Sequence, residues 1–191
     1  MMPAPIIAIS GHPGGGKTSL TKALRDRLGV PALHYDDYET ITSLSPAKVR
    51  DWIKRGSNYD EIELDRLVHQ MKLVSEHQPR PACVLLDTLL GRAHRETGEL
   101  IHTLIWIDTP PDIALARKIS EAAGRARATP EDSTAFVGWL ESYLAHYMGF
   151  IAGTYAVQRE RVRPTADVIL DGSAPLEELV DEAASAIKQR L

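Results

Sequence analysis

An apolar run, Ile6-Ile7-Ala8-Ile9, leads into Gly11-His12-Pro13-Gly14-Gly15-Gly16-Lys17-Thr18, a full match to G-x-x-x-x-G-K-[ST]. The run is rich in β-branched residues and uninterrupted, which predicts a strand buried on both faces. Behind the motif, Leu20, Leu24 and Leu28 recur at helical spacing, and Gly29 supplies a stop. A strand, a glycine loop and a helix in this order form a cradle for phosphate. Glycines let backbone N–H groups converge on phosphate oxygens, and the helix start adds unpaired donors and a positive dipole end. Gly11, His12, Pro13, Gly14, Gly15, Gly16 and Ser19 therefore form the expected nucleotide seat, with His12 filling a variable position. Lys17 is expected to reach the β- and γ-phosphates, and the Thr18 hydroxyl to ligate Mg²⁺.

Composition narrows what surrounds that seat. In 191 residues, 43% are hydrophobic and 25% charged, which fits an ordered globular chain and one domain, 1–191. The net charge of -4 disfavours nucleic acid or an anionic membrane as a partner. The lone Cys83 excludes an intramolecular disulfide and argues against a cysteine zinc site. No apolar run approaches the ~20 residues that span a bilayer, and Met1–Pro5 lacks the basic start of a signal peptide, so a cytoplasmic location is expected.

Four further apolar runs read as strands, at 31–35, 82–86, 104–107 and 166–170. Between them, spacing predicts helices over 63–76, 110–123 and 130–155, with a short one near 46–54 inside a polar stretch and a last one capped by Ser173. Thr109 and Asp112 read as a capping box for the 110–123 helix, with Gly124 closing it. Phe136, Trp139, Tyr143 and Tyr147 form a stripe that reads as core-facing. Alternating strands and helices predict an α/β fold, a parallel five-stranded sheet with helices on both faces, with ligand beyond the carboxyl ends of the strands. Asp36, Asp37, Asp87 and Asp108 all fall at that edge. Asp87, at the end of the third run, reads as an acid near Mg²⁺. Asp36 is suited to receive the proton of a hydroxyl attacking a γ-phosphate.

The order of motifs resembles the uridine kinase-like branch of the P-loop kinases, which includes nucleoside and nicotinamide riboside kinases. His34-Tyr35-Asp36-Asp37-Tyr38 is similar to the family's strand-end D-[SD]-[FY] signature, and Asn58-Tyr59-Asp60 to its N-[FW]-D segment. Trp106 to Asp112 and Ala166-Asp167-Val168-Ile169-Leu170 resemble its fourth strand and the strand before its closing helix. The chain departs from the family's R-x-x-R-D run, showing Arg117 and Lys118, then Glu121-Ala122, then Arg125-Ala126-Arg127; the residues between Tyr155 and Ala166 match loosely.

The resemblance implies a P-loop NTPase fold with a small helical lid around 117–133 and an ATP- and Mg²⁺-dependent kinase acting on a nucleoside or ribose-like hydroxyl. It places Asp36, Asp37 and Tyr38 at the acceptor, with Asp36 as base, and Asp60 on ribose hydroxyls. Arg117 is expected on the nucleotide, and Arg125 and Arg127 on the transferred phosphoryl group, where they would offset developing charge. A sugar-acid or nucleoside-monophosphate kinase is the alternative within enzymes, and a non-catalytic nucleotide-binding module the alternative outside them.

Overall fold

The computed structural model describes residues 2–40, 45–127 and 130–191, with the backbone alone described at 46 and 130–132. Residues 128–129 of the expected lid and 41–44 of the polar stretch lie outside the described residues. Five strands, β1 (Ile6–Gly11), β2 (Ala32–His34), β3 (Val84–Asp87), β4 (Ile101–Asp108) and β5 (Val168–Asp171), form one sheet in the order β2-β3-β1-β4-β5. Every pairing is parallel.

Alternation along β1 divides the core. Ile6 and Ala8 join Val84, Leu86, Leu104 and Trp106 on one face, against Leu67 and Met71 of α3 (Asp65–Ser75). Ile7 and Ile9 join Leu85, Ile105 and Ile107 on the other. There they meet Leu20 and Leu24 of α1 (Lys17–Leu28) and Leu179, Ala183 and Ile187 of α8 (Leu176–Lys188). Cover on both faces makes the inner strands β1 and β3 buried throughout, which is why they were readable as apolar runs.

Gly29, in a left-handed conformation, ends α1 as expected, and the short helix near 46–54 is α2 (Pro46–Lys54). A four-residue helix, α4 (Arg95–Gly98), was not expected. Gly124 does not close its helix, because α5 runs over Pro111–Ala126 and the Arg125–Glu121 pair, 2.9 Å apart, spans the glycine by one turn. The expected capping box is not used either. Pro110 precedes α5 without a side-chain cap, and the Thr109 hydroxyl instead donates to Gly15 O at 2.9 Å. Nor does Ser173 cap α8, which begins after Pro175; its hydroxyl donates to Asp171 at 2.6 Å.

The predicted 130–155 helix is three pieces: α6 (Pro130–His146), a π-helical turn (Tyr147–Ile151) and α7 (Ala152–Val162). Its aromatic stripe is not core. Phe136, Trp139 and Tyr143 stack upon one another with centroids 5.9 and 5.0 Å apart, yet remain half-buried and outside both apolar clusters. No helix of the described residues is long and apolar enough to cross a membrane.

Candidate active site

The loop joining β1 to α1 sits at the carboxyl edge of the sheet, between Asp87 at the end of β3 and Asp108 at the end of β4. Gly14 has φ +79°, and a Cβ there would stand 2.2 Å from Ala114 O of α5, so only glycine fits. The His12 carbonyl organises the loop, accepting from Gly15 N at 2.9 Å and from Lys17 Nζ at 3.1 Å. Burial pushes the Lys17 pKa down, opposed by the charges of Asp87 and Asp36. Thr18 Oγ1 donates to Asp87 Oδ2 at 2.6 Å, and His34 Nδ1 lies 3.3 Å from the same oxygen.

That hydroxyl and carboxylate are adjacent hard oxygen donors, the chemistry that suits Mg²⁺, which keeps much of its water and takes few protein ligands. Among the described residues no group of three or more His, Cys, Asp or Glu forms a metal cage. The donor set therefore fits Mg²⁺ shared with phosphate rather than a site built wholly from protein.

A cavity of about 750 Å³ opens over the loop. It is lined by Lys17, Thr18, Ser19 and Lys22, by Asp36 from the turn after β2, and by Arg117, Lys118, Glu121 and Arg125 of α5. Asp36 is open to solvent at this wall, yet partial desolvation raises its pKa; Lys17 and Lys118 pull it down while Asp87 and Glu39 push it up. Arg117 donates to Gly172 O at 2.9 Å. Thus the loop, Asp36, Arg117 and Arg125 share one space.

Other expected residues stand elsewhere. Arg127 is exposed at the end of α5, outside the cavity lining. Asp37 is exposed and lines no described cavity, and Tyr38 faces a separate surface depression with Arg66, whose guanidinium lies 5.9 Å from its ring. Asp60 is exposed, and its carboxylate accepts from Arg95 N at 2.7 Å, at the start of α4. The neighbours Tyr35 and Tyr59 are buried and line a smaller cavity beside this one.

His12 is no filler. Only 1% exposed, its ring stacks on Tyr155 at 5.1 Å and meets Trp106 edge-on at 5.5 Å. Its Nδ1 pairs with Gln158 Oε1 at 3.2 Å, while Gln158 Nε2 donates to Gly11 O at 3.1 Å and Leu89 O at 2.6 Å. The amide oxygen must therefore accept, which places the imidazole proton on Nδ1. Burial lowers the His12 pKa, opposed by the Gln158 bond and assisted by Lys17, so the ring is neutral near pH 7. Asp108 anchors the same helix to β4, accepting from Trp106 Nε1 at 3.2 Å, Arg163 Nε at 3.1 Å and Arg159.

Sequence reasoning missed Gln158, Lys118 and Lys22. For Lys118 a signal existed, since Ala114, Lys118, Glu121 and Arg125 lie on one helical face turned to the loop. For Gln158 there was none, because its partners stand 69 to 147 positions away.

Comparison with known proteins places this geometry in context. No protein-family model matches the chain. A shikimate kinase of Rhodopirellula baltica is 25% identical over 140 residues, 72% of each chain. A putative adenylate kinase of Methanocaldococcus jannaschii is 30% identical over 81 residues, 42% of this chain and 41% of its own. The crystal structure of shikimate kinase from Bacteroides thetaiotaomicron superposes with a TM-score of 0.54 at 17% identity, covering 96% of this chain and 98% of that one. The fold is that of the P-loop NTPase kinases, a parallel five-stranded sheet wrapped by helices.

Proposed function

We propose that this chain is an ATP- and Mg²⁺-dependent kinase that phosphorylates a hydroxyl of a small molecule, with nucleosides and other ribose-like compounds as the acceptor class. One observation carries the reading: Lys17 and Thr18 of the phosphate loop and the Asp36 carboxylate line the same cavity. Phosphoryl transfer needs little covalent chemistry from the protein and depends on positioning and charge. The similarity to kinases over 72% of the chain supports it. A cytoplasmic setting, rich in ATP, suits it.

In this mechanism the loop amides and Lys17 hold the β- and γ-phosphates. Lys17 leaves the His12 carbonyl to do so. Thr18 and Asp87 would hold Mg²⁺, which would supply positive charge beside the phosphates. Asp36 orients the acceptor hydroxyl and takes its proton as the oxygen bonds to the γ-phosphorus and the bond to the β-phosphate breaks, releasing ADP. Its raised pKa makes it a better proton acceptor than an ordinary aspartate. Arg117, Lys118 and Arg125 on α5 face the same space and offset charge on the transferred group. The end of α5, where Arg125 lines the cavity, would act as a lid on a single domain.

A second reading, with a small polyhydroxy acid as acceptor, draws on the name of the Rhodopirellula relative, a shikimate kinase. ADP release measured across nucleosides, ribosides and sugar acids tests the proposal. Acceptor-dependent release is expected, falling by about 10²–10⁴ in Asp36→Asn. ATP binding with no acceptor-dependent release, or an Asp36→Asn variant that keeps most turnover, overturns it.

A further inference from the structure

Parallel pairing sets His34, the last residue of β2, opposite Asp87, the last of β3. Alternation puts Ala32 and His34 of β2, and Leu85 and Asp87 of β3, on the face that α1 covers, where Thr18 lies in the first turn of the helix. Asp87 is only 6% exposed, and a carboxylate so enclosed needs hydrogen-bond donors. Among the described residues two donors reach it, and both fall on one oxygen. Thr18 Oγ1 donates to Oδ2 at 2.6 Å, and His34 Nδ1 stands 3.3 Å from the same atom. No described residue bonds to Oδ1.

A carboxylate oxygen only accepts, so the hydrogen of this contact sits on Nδ1, and a ring nitrogen that carries a hydrogen offers no lone pair to a metal. His34 also stands outside the lining of the cavity over the loop, so it acts through Asp87 and not on the phosphates. A contact of 3.3 Å is long for a hydrogen bond and adds little to stability. Two donors on one oxygen do something else: they stop the carboxylate from turning about its last bond and keep Oδ1 presented in a fixed direction. The Thr18 hydroxyl, its hydrogen spent on Asp87, keeps its lone pairs for the same use. Hydrogen bonds of this kind behind a metal's ligand change metal affinity by about 10–100-fold. The turn Tyr35–Asp37 departs from His34, so the contact also ties the carrier of Asp36 to the end of β3.

We propose that His34 is a positioning residue for the divalent cation: its Nδ1–H holds the Asp87 carboxylate in the orientation that, with Thr18, receives the metal beside the nucleotide. The assignment rests on the kinase reading through its Mg²⁺ site, and its test needs no acceptor.

The probe is Mn²⁺, which takes the oxygen donors that suit Mg²⁺ and is counted by electron paramagnetic resonance. It is titrated into protein holding a methylene-bridged ATP analogue, and calorimetry measures analogue binding in chelator on the same preparations. His34→Phe keeps a ring and removes the donor; it is expected to weaken Mn²⁺ binding at least about tenfold while analogue binding without metal stays within about twofold. His34→Asn places an amide N–H where Nδ1 stands and is expected to bring Mn²⁺ affinity back to within about threefold of wild type. Equal Mn²⁺ affinity in wild type and His34→Phe, or a loss in His34→Asn as large as in His34→Phe, overturns the proposal and leaves the kinase standing. So does a fall of equal size in metal and metal-free analogue binding, which marks His34 as filler of the strand end. Imidazole nitrogen coupling in the Mn²⁺ spin echo of wild type, absent from His34→Phe, makes His34 a direct ligand and also overturns it. If wild type takes up no Mn²⁺ beyond what the analogue binds alone, the metal role of Thr18 and Asp87 fails, and the kinase reading falls with the proposal.

Discussion

Replacing Gln158 by leucine keeps the volume and removes every hydrogen bond that ties α7 to the phosphate loop. The His12 Nδ1–H and the Gly11 carbonyl lose their amide partner, while the Leu89 carbonyl keeps only the 3.4 Å contact from Ser10 Oγ. His12 cannot recover by turning over, because its Nε2 is buried without a partner already. Each orphaned buried group costs about 1–3 kcal/mol, and the leucine returns some of that as apolar burial, so the net loss is about 3 kcal/mol. For a chain of this size that lowers Tm by about 6–12 °C. Urea and thermal unfolding followed by circular dichroism measure it. His12→Phe removes the same imidazole bond, so the double variant is expected to lose at least about 1 kcal/mol less than the sum of the two singles. A Gln158→Leu protein within 1 kcal/mol of wild type, or strict additivity with His12→Phe, refutes the bridging role.

Further expectations concern charge and backbone. Because the Asp36 pKa is raised and its proposed role needs the ionised form, kcat/KM should fall on acidification through a titration above the ordinary aspartate value near 3.9, and an acid limb at or below that value contradicts the assignment. Burial opposes ionisation of Asp108, but the bonds from Arg159, Trp106 and Arg163 outweigh it and hold the pKa low. The stability it contributes is present above the unfolded aspartate pKa and is lost as pH falls through the lower folded value, so Asp108→Asn should flatten the decline in unfolding free energy between about pH 5 and 2. An unchanged slope counts against the clamp. Gly14→Ala drives a methyl group into Ala114 O and strains a positive φ, so it should lower both Tm and affinity for an ATP analogue. Retention of wild-type affinity would show that the loop and α5 move apart freely.

The frame was legible because its information is local. Short apolar runs marked all five strands, and the loop motif together with Gly29 bracketed α1. The errors share a physical cause, since in each a side chain takes a partner other than the one its spacing suggests. Thr109 bonds to Gly15 rather than capping α5, and Ser173 turns back to Asp171. The aromatic stripe of α6 satisfies itself by stacking along its own helix, which periodicity cannot tell from packing into a core. Asp36 was marked by its strand end and Arg125 by the kinase resemblance, and both line the cavity over the loop. Gln158 lies where the kinase resemblance is loosest, between Tyr155 and Ala166, and only the tertiary fold reveals it. Tyr35 stands one residue before Asp36 and Tyr59 fills the aromatic position of the Asn58-Tyr59-Asp60 segment, and burial separates them from Tyr38 and Asp60.

At Thr109 three of the turns that build the phosphate seat are pinned together. Its hydroxyl grips Gly15, and a Cβ on Gly172 would come within 1.9 Å of that same oxygen. Bulk added at any of these positions is felt by the others, so over descent they should vary jointly or not at all.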